Sequence, residues 1–204
     1  MKKIVLGAIA ALFSISSYAN DTYIAVELGG GSYNISGEDS NAKFARDLED
    51  VGFLNIKLGQ SLNEGFRYYG YIQHGGDTTV KYTYNNVDVF DYNLTTYEFG
   101  LGGDYIHDIT DKFYALGGVN LGLYKSNFEI SFIGLPTEDS SNTGMAAGLN
   151  LGLGYSFTEH FGIELGYRHT RFSSNKHEIK KSGYDVDLSF DATNMAYLNL
   201  NYTF

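Results

Sequence analysis

His169, Ser173 and Glu178 carry the three groups of a hydrolytic triad: an imidazole base, a hydroxyl nucleophile and a carboxylate to orient the imidazole. They fall near the outer rim of the segment around residue 168. Other candidate chemistry is thinner. The runs Gly29-Gly30-Gly31, Gly102-Gly103 and Gly152-Leu153-Gly154 complete no nucleotide-binding fingerprint and precede no helix, so small residues for packing and strand bending explain them better. The five histidines are dispersed, and no pair has the helical spacing of a metal site. Acidic clusters at Glu38-Asp39, Asp47 to Asp50, Glu138-Asp139 and Asp185 to Asp191 offer the oxygen donors that divalent cations take, but solvated loop charge is the expected reading. The absence of cysteine excludes a disulfide framework and thiolate chemistry. The sequence therefore predicts no catalytic residue, no cofactor and no metal.

Six isolated charges are more informative: Glu27, Glu98 and Glu164, against Lys57, Arg67 and Arg168. Each stands in a segment read as a strand, on the face that across the chain is mostly Gly, Ala, Ser and Asn. Ile24, Val26 and Leu28 oppose Ala25, Glu27 and Gly29; Leu54, Ile56, Leu58 and Leu62 oppose Asn55, Lys57, Gly59 and Ser61. From Phe66 the pattern is least clear, because Tyr68, Tyr69 and Tyr71 populate both faces, and Arg67 is placed inward. Tyr97, Phe99, Leu101 and Tyr105 then oppose Glu98, Gly100, Gly102 and Asp104, and Val119, Leu121 and Leu123 oppose Gly118, Asn120 and Gly122. Ala147 to Phe157 is the cleanest alternation, Ile163 to Tyr167 the shortest, and Ala196 to Phe204 the last. About eight strands, each near the ~9 to 11 residues of a tilted bilayer crossing, are expected.

The composition of the two faces decides the surrounding solvent. A soluble barrel would fill its interior with the bulky apolar set and charge its outside densely; the second face here is too small and too sparsely charged for that. The aliphatic face is therefore expected to meet lipid and the compact face to pack about the axis. Charges buried there are costly unless paired, so three acids and three bases predict a salt-bridge plug across a narrow lumen. Tyr23, Phe53, Phe66, Tyr105, Phe113, Phe157, Phe161, Tyr202 and Phe204 are expected in interfacial girdles. Connections near residues 63–65, 107–111 and 158–160 are short. Residues 34–50, 75–92, 125–144 and 173–191 read as long polar loops.

Lys2 and Lys3 precede an apolar run from Ile4 to Ile15, and Ser17-Tyr18-Ala19 supplies the small residues of a signal-peptidase site. Cleavage between Ala19 and Asn20 is expected, with residues 1–19 a leader and 20–204 one β-barrel domain. A net charge of −10, made more negative by losing two lysines with the leader, argues against a nucleic-acid partner.

The ending Leu200-Asn201-Tyr202-Thr203-Phe204, with the leader, the dyad repeat and the loop asymmetry, resembles the small OmpA/OmpX/Opa-like family of outer-membrane barrels. The resemblance spans nearly all of residues 20–204. It implies an all-β, closed antiparallel transmembrane barrel of about eight strands with short periplasmic turns and four long extracellular loops. It further implies that Leu200, Tyr202 and Phe204 are read by the barrel-assembly machinery. Outer-membrane lipid and lipopolysaccharide are the implied surroundings, Lys176 to Lys181 a basic segment able to touch lipid phosphates, and a host or environmental surface ligand a further expected partner. The family's lipid-modifying members are matched poorly. Lipid A deacylases carry His and Ser two apart followed by Asn, whereas Arg171 stands two after His169. No periplasmic wall-binding domain follows the last strand, so wall anchoring is not expected. The expected role is a non-enzymatic envelope barrel displaying surface loops, with a narrow channel as the alternative.

Overall fold

A computed structural model describes residues 21–37, 50–62, 65–84, 87–132, 136–173, 175–181 and 184–204. The expectation at Ala19 and Asn20 lies outside them, as do Glu38-Asp39 and residues 47–49. Among the described residues nine antiparallel strands follow one another: β1 (Asp21–Gly37), β2 (Asp50–Leu62), β3 (Phe66–Tyr84), β4 (Val87–Asp108), β5 (Phe113–Phe132), β6 (Glu138–Ser156), β7 (Phe161–Phe172), β8 (Lys176–Lys181) and β9 (Tyr184–Thr203). Each of β1 to β6 pairs with the next in sequence, β7 with β9, and β9 with β1, so eight strands close a cylinder and leave no edge there. Leu28 of β1 stands opposite both Leu54 of β2 and Leu198 of β9.

The dyad repeat is realised as read. Ile24, Val26, Leu28, Ile56, Ile72, Phe99, Leu101, Leu121, Leu149, Leu151, Leu165 and Leu198 are exposed on the outside, while Ala25, Glu27, Asn55, Lys57, Arg67, Glu98, Asn120, Asn150, Glu164 and Asn199 are buried inside. The ambiguous β3 is resolved by the same parity: Arg67, Tyr69, Tyr71 and Gln73 point inward, and Tyr68 outward to Gln60.

Strand length departs from the sequence reading. Most of residues 75–92, 125–144 and 173–191, expected as loops, continues the barrel wall as β3–β4, β5–β6 and β8–β9 ladders. Leaving the aliphatic band reverses the polarity of both faces, which hid the continuation. Along β5 the outward residues change from Val119, Leu121 and Leu123 to Lys125, Asn127 and Glu129. The inward ones change from Asn120 to Phe128 and Ile130.

A buried cluster of Tyr33, Val51, Phe53, Tyr92, Leu94, Phe128, Ile130, Leu188, Phe190, Met195 and Tyr197 fills the upper interior. The expected small, hydrophilic interior therefore holds only for the lower part of the barrel. Tyr23 and Phe53, expected at lipid interfaces, are inside it; Tyr23 lies over the Arg67 guanidinium and Phe53 over that of Arg168.

The other end is closed by short turns. In two of them one device recurs, Ile109-Thr110-Asp111-Lys112-Phe113 and Phe157-Thr158-Glu159-His160-Phe161. The Thr110 Oγ1 accepts from the amides of Lys112 and Phe113 at 3.3 and 3.0 Å, and the Thr158 Oγ1 from those of His160 and Phe161 at 3.2 and 3.0 Å. In the third turn Gly65 adopts φ 79°, a conformation that favours glycine. Around this rim Phe66 packs on Tyr105, Phe113 on Tyr155, Tyr155 on Phe157 and Phe157 on Phe161, with ring centroids 4.7 to 5.6 Å apart.

Candidate functional site

The lower lumen is the place where the fold concentrates charge. Neighbouring strands bring their inward positions to one level because the register is fixed over many pairs: Glu27 stands opposite Asn55 and Asn199, and Arg67 opposite Asp104. Five of the six charges picked out by sequence meet there, in two groups.

In the first, Glu27 accepts from the Lys57 Nζ at 2.6 Å and also from Arg168. A second Arg168 nitrogen donates to the Gln73 Oε1 at 2.9 Å, which also accepts from Asn55. In the second group Arg67 grips Glu164 with both terminal nitrogens, at 2.6 and 2.9 Å, and donates from Nε to Asp104 at 2.8 Å. Such a bidentate fork is the geometry that makes an arginine–carboxylate pair strong. Glu164 takes further hydrogen bonds from Tyr114 at 2.9 Å and Asn199 at 2.7 Å; Asp104 takes one from Asn150 at 2.9 Å.

Two findings depart from a balanced set. Asp104 is a fourth inward acid, standing on the compact face of β4. Glu98 is held by the Tyr71 hydroxyl, itself receiving the Asn120 amide at 3.2 Å, and among the described residues no ion pair reaches Glu98. Among the described residues the lumen thus holds four acids and three bases. Equal numbers of acids and bases do not by themselves pair the charges. The actual pairs follow height along the axis and reach across the lumen, as from β3 to β7 in Arg67–Glu164.

Tyrosines complete the filling. Tyr69, Tyr114 and Tyr197 lie over Gly102, Gly154 and Gly166, which are their register partners on the next strand; a Cβ at any of these glycines would overlap the ring. Lys57 stands 4.8 Å over the Tyr69 ring and 5.6 Å over that of Tyr197. Glycine thus makes room for an aromatic ring in the narrow lumen. No single segment of the sequence reveals this, because each pair is two strands' worth of register. Among the described residues the Asn55, Asn120, Asn150 and Asn199 Oδ1 atoms and the Tyr23 hydroxyl have no protein partner, and ordered water is what satisfies such groups in a polar interior.

The triad residues are engaged elsewhere. His169 Nδ1 stands 2.8 Å from Asn194 Oδ1, Ser173 Oγ accepts from the Met145 amide at 2.8 Å, and Glu178 pairs with Lys176 at 2.7 Å. Lys176 also pairs with Asp187 at 2.9 Å, so this end of the basic segment is matched by acids of its own hairpin. Among the described residues no group of His, Asp and Glu is arranged to hold a metal ion. Leu200, Tyr202 and Phe204 are exposed at the short-turn rim, with Tyr202 and Phe204 packed edge to face at 5.2 Å and the Phe204 amide donating to the Thr22 carbonyl at 2.9 Å.

This geometry, a polar-cored cylinder with an aliphatic belt, has close counterparts among solved structures. Neisserial surface protein A superposes with a TM-score of 0.61 at 15% identity over 90% of this chain and 97% of its own. Ail, the attachment invasion locus protein of Yersinia pestis, superposes at 0.57 and 17%, over 90% and 98%. A major outer membrane protein of Thermus thermophilus gives 0.57 and 12%, over 90% and 99%. At these identities the likeness is one of fold. No curated protein matches the chain. The model of the outer membrane protein beta-barrel domain matches residues 5–204, and the chain belongs to that family.

Proposed function

We propose that this is a non-enzymatic integral outer-membrane barrel whose interior is closed to bulk solute and whose protruding upper wall is its contact surface. The observation that carries the reading is the double filling of the cylinder. A crosslinked ionic network occupies the level of the lipid belt, and a packed apolar cluster lies above it. Arg67 and Arg168 each bind residues on other strands across the axis, so a permeating ion would have to break pairs whose uncompensated charges are costly at low dielectric.

The exported route follows from the same reading: a leader removed after Ala19, assembly through the Leu200-Tyr202-Phe204 edge, and both strand termini on the periplasmic side with the short turns. The long-strand end then faces outward among lipopolysaccharide. Contact with a host or environmental surface would use stiff strand wall as well as loop tips, since residues 75–84 and 125–132 extend the sheet beyond the belt. The named role of Ail in attachment belongs to that protein. What it lends to a surface-contact role here is the shared fold.

Planar-bilayer recordings of the refolded protein test the closed interior. The expected result is no large steady conductance; a stable porin-sized current would overturn the reading in favour of a channel.

A further inference from the structure

β7 ends at Phe172 and β8 begins at Lys176, and both run antiparallel to β9. β8 therefore occupies, above the belt, the place beside β9 that β7 occupies within it. Its other side faces β6. The β6–β7 ladder stops at Ala146 opposite Phe172, and among the described residues no backbone ladder joins β6 to β8. Two sheet edges thus meet without pairing, and side chains span the seam. The Asn142 amide donates to the Lys176 carbonyl at 2.9 Å, and Ser173 exchanges two bonds with the Met145 backbone.

At the centre of the seam His177 is fully buried. Its Nε2 lies 2.8 Å from the Ser126 Oγ and its Nδ1 3.2 Å from the Ser140 Oγ. The single Ser126 hydroxyl proton goes to the Asn175 Oδ1 at 2.6 Å, so Ser126 accepts from His177, which places the imidazole proton on Nε2. Ser140 then donates to Nδ1, and the neutral ring is satisfied on both sides. One bond each to β5 and β6 is what this histidine gives β8.

We propose that β8 is an acid-released latch over the upper core, with His177 as its titrating pin: a proton on the imidazole frees β8 from β5 and β6 and opens the apolar interior at that seam. Apart from the Ser140 backbone, whose hydrogen bond favours the charged form, the surroundings offer little to a charged ring. β5 presents Ser126 and Phe128, β9 presents Leu188 and Phe190, and the connecting segment presents Asn175. β6 presents Ser140, with Glu138 the next residue on that face and opposite Ile130. Lys176 and Glu178 flank His177 but pair with each other on the exposed side.

Burial pushes the His177 imidazole down to about 4, against an ordinary value near ~6.5. A base held neutral in the closed form and free to protonate in the open one makes closure strongest above the ordinary value. Closure then weakens as pH falls from about 6.5 toward 4.

Hydrogen exchange of amides 176–181 in the refolded full chain, normalised at each pH to the unfolded chain, tests this. Protection should fall by roughly twentyfold from pH 7 to pH 5, while amides of Val119 to Leu123 in the belt keep theirs. In His177→Gln the pH dependence should vanish. Unchanged protection in the wild type, or the same fall in His177→Gln, overturns the proposal. Should His177→Gln fail to fold, the wild-type His177 ring is titrated by NMR: a midpoint well below 6, tracking the loss of protection, supports the latch, and a midpoint near ~6.5 overturns it.

Discussion

The lower and upper halves of the cylinder are built from the same eight-stranded closure and filled in opposite ways. At the level of the aliphatic belt the inside is Glu27, Lys57, Arg67, Asp104, Glu164 and Arg168; above it the inside is Phe128, Ile130, Leu188 and Phe190. The outside reverses in step, from Leu121 and Leu123 to Lys125, Asn127 and Glu129 on a single strand. Where lipid surrounds the wall, apolar side chains gain nothing by turning inward, and the interior can be left to hydrogen bonds. Where water surrounds the wall, apolar side chains gain by leaving it, and the barrel has an ordinary hydrophobic core. The protein is thus inside-out in one half and conventional in the other, with the switch made inside continuous strands.

The largest expected effect comes from breaking the polar half. Arg67→Ala strands Asp104 and Glu164 without their base, and loss of one partner of a buried pair costs about 3–5 kcal/mol. The unfolding midpoint in lipid vesicles, read by the change in gel mobility on heating, should fall accordingly. A midpoint close to wild type would mean that the lumen is wet enough to solvate both acids. In the apolar half Leu188→Ala should cost about 2–5 kcal/mol through lost burial and a residual cavity. Here the loss should be local: protection of residues 176–190 falls in hydrogen exchange while that of Val119 to Leu123 persists. Equal loss in both halves would show that the two interiors unfold as one unit.

The sharpest comparison lies on the outer face of β5. Leu121→Arg, in the belt, should cost about 2–4 kcal/mol. Glu129→Arg, on the same face of that strand but above the belt, should stay within about 0.5 kcal/mol. Equal costs would place the two residues in one solvent and remove the basis for the division.

Much of the lower half was legible from sequence, because a strand's side-chain period is local. Ile24, Val26 and Leu28 against Ala25 and Glu27 declare their faces without reference to any other strand. The paired charges were found for the same reason, as isolated ions on a face of small residues. Asp104 lay on that face and its weight was missed, since nothing in β4 alone says that Arg67 stands opposite. From sequence the upper half reads as loop because its alternation has the opposite sign. Phe128, Ile130, Leu188 and Phe190 point inward where the belt had taught that apolar residues point out. β8 was missed for a further reason: in Lys176-His177-Glu178-Ile179 the inward residues are a histidine and one isoleucine, too weak a pattern to stand out from a charged loop. Tyr23 and Phe53 point inward because strand parity, and not aromatic type, decides the face.

By itself the sequence determined the class of object: alternating strands, a face of bulky aliphatics and a face of compact residues with sparse ions, which only a lipid-embedded cylinder accommodates. Only the tertiary structure decided the partners. Whether Arg67 meets Asp104 or Glu98, whether Tyr114 finds a glycine beneath it, and whether a polar segment joins the wall all depend on register and height. Those are set by pairings between strands far apart in the chain, while the period of a strand is set within it.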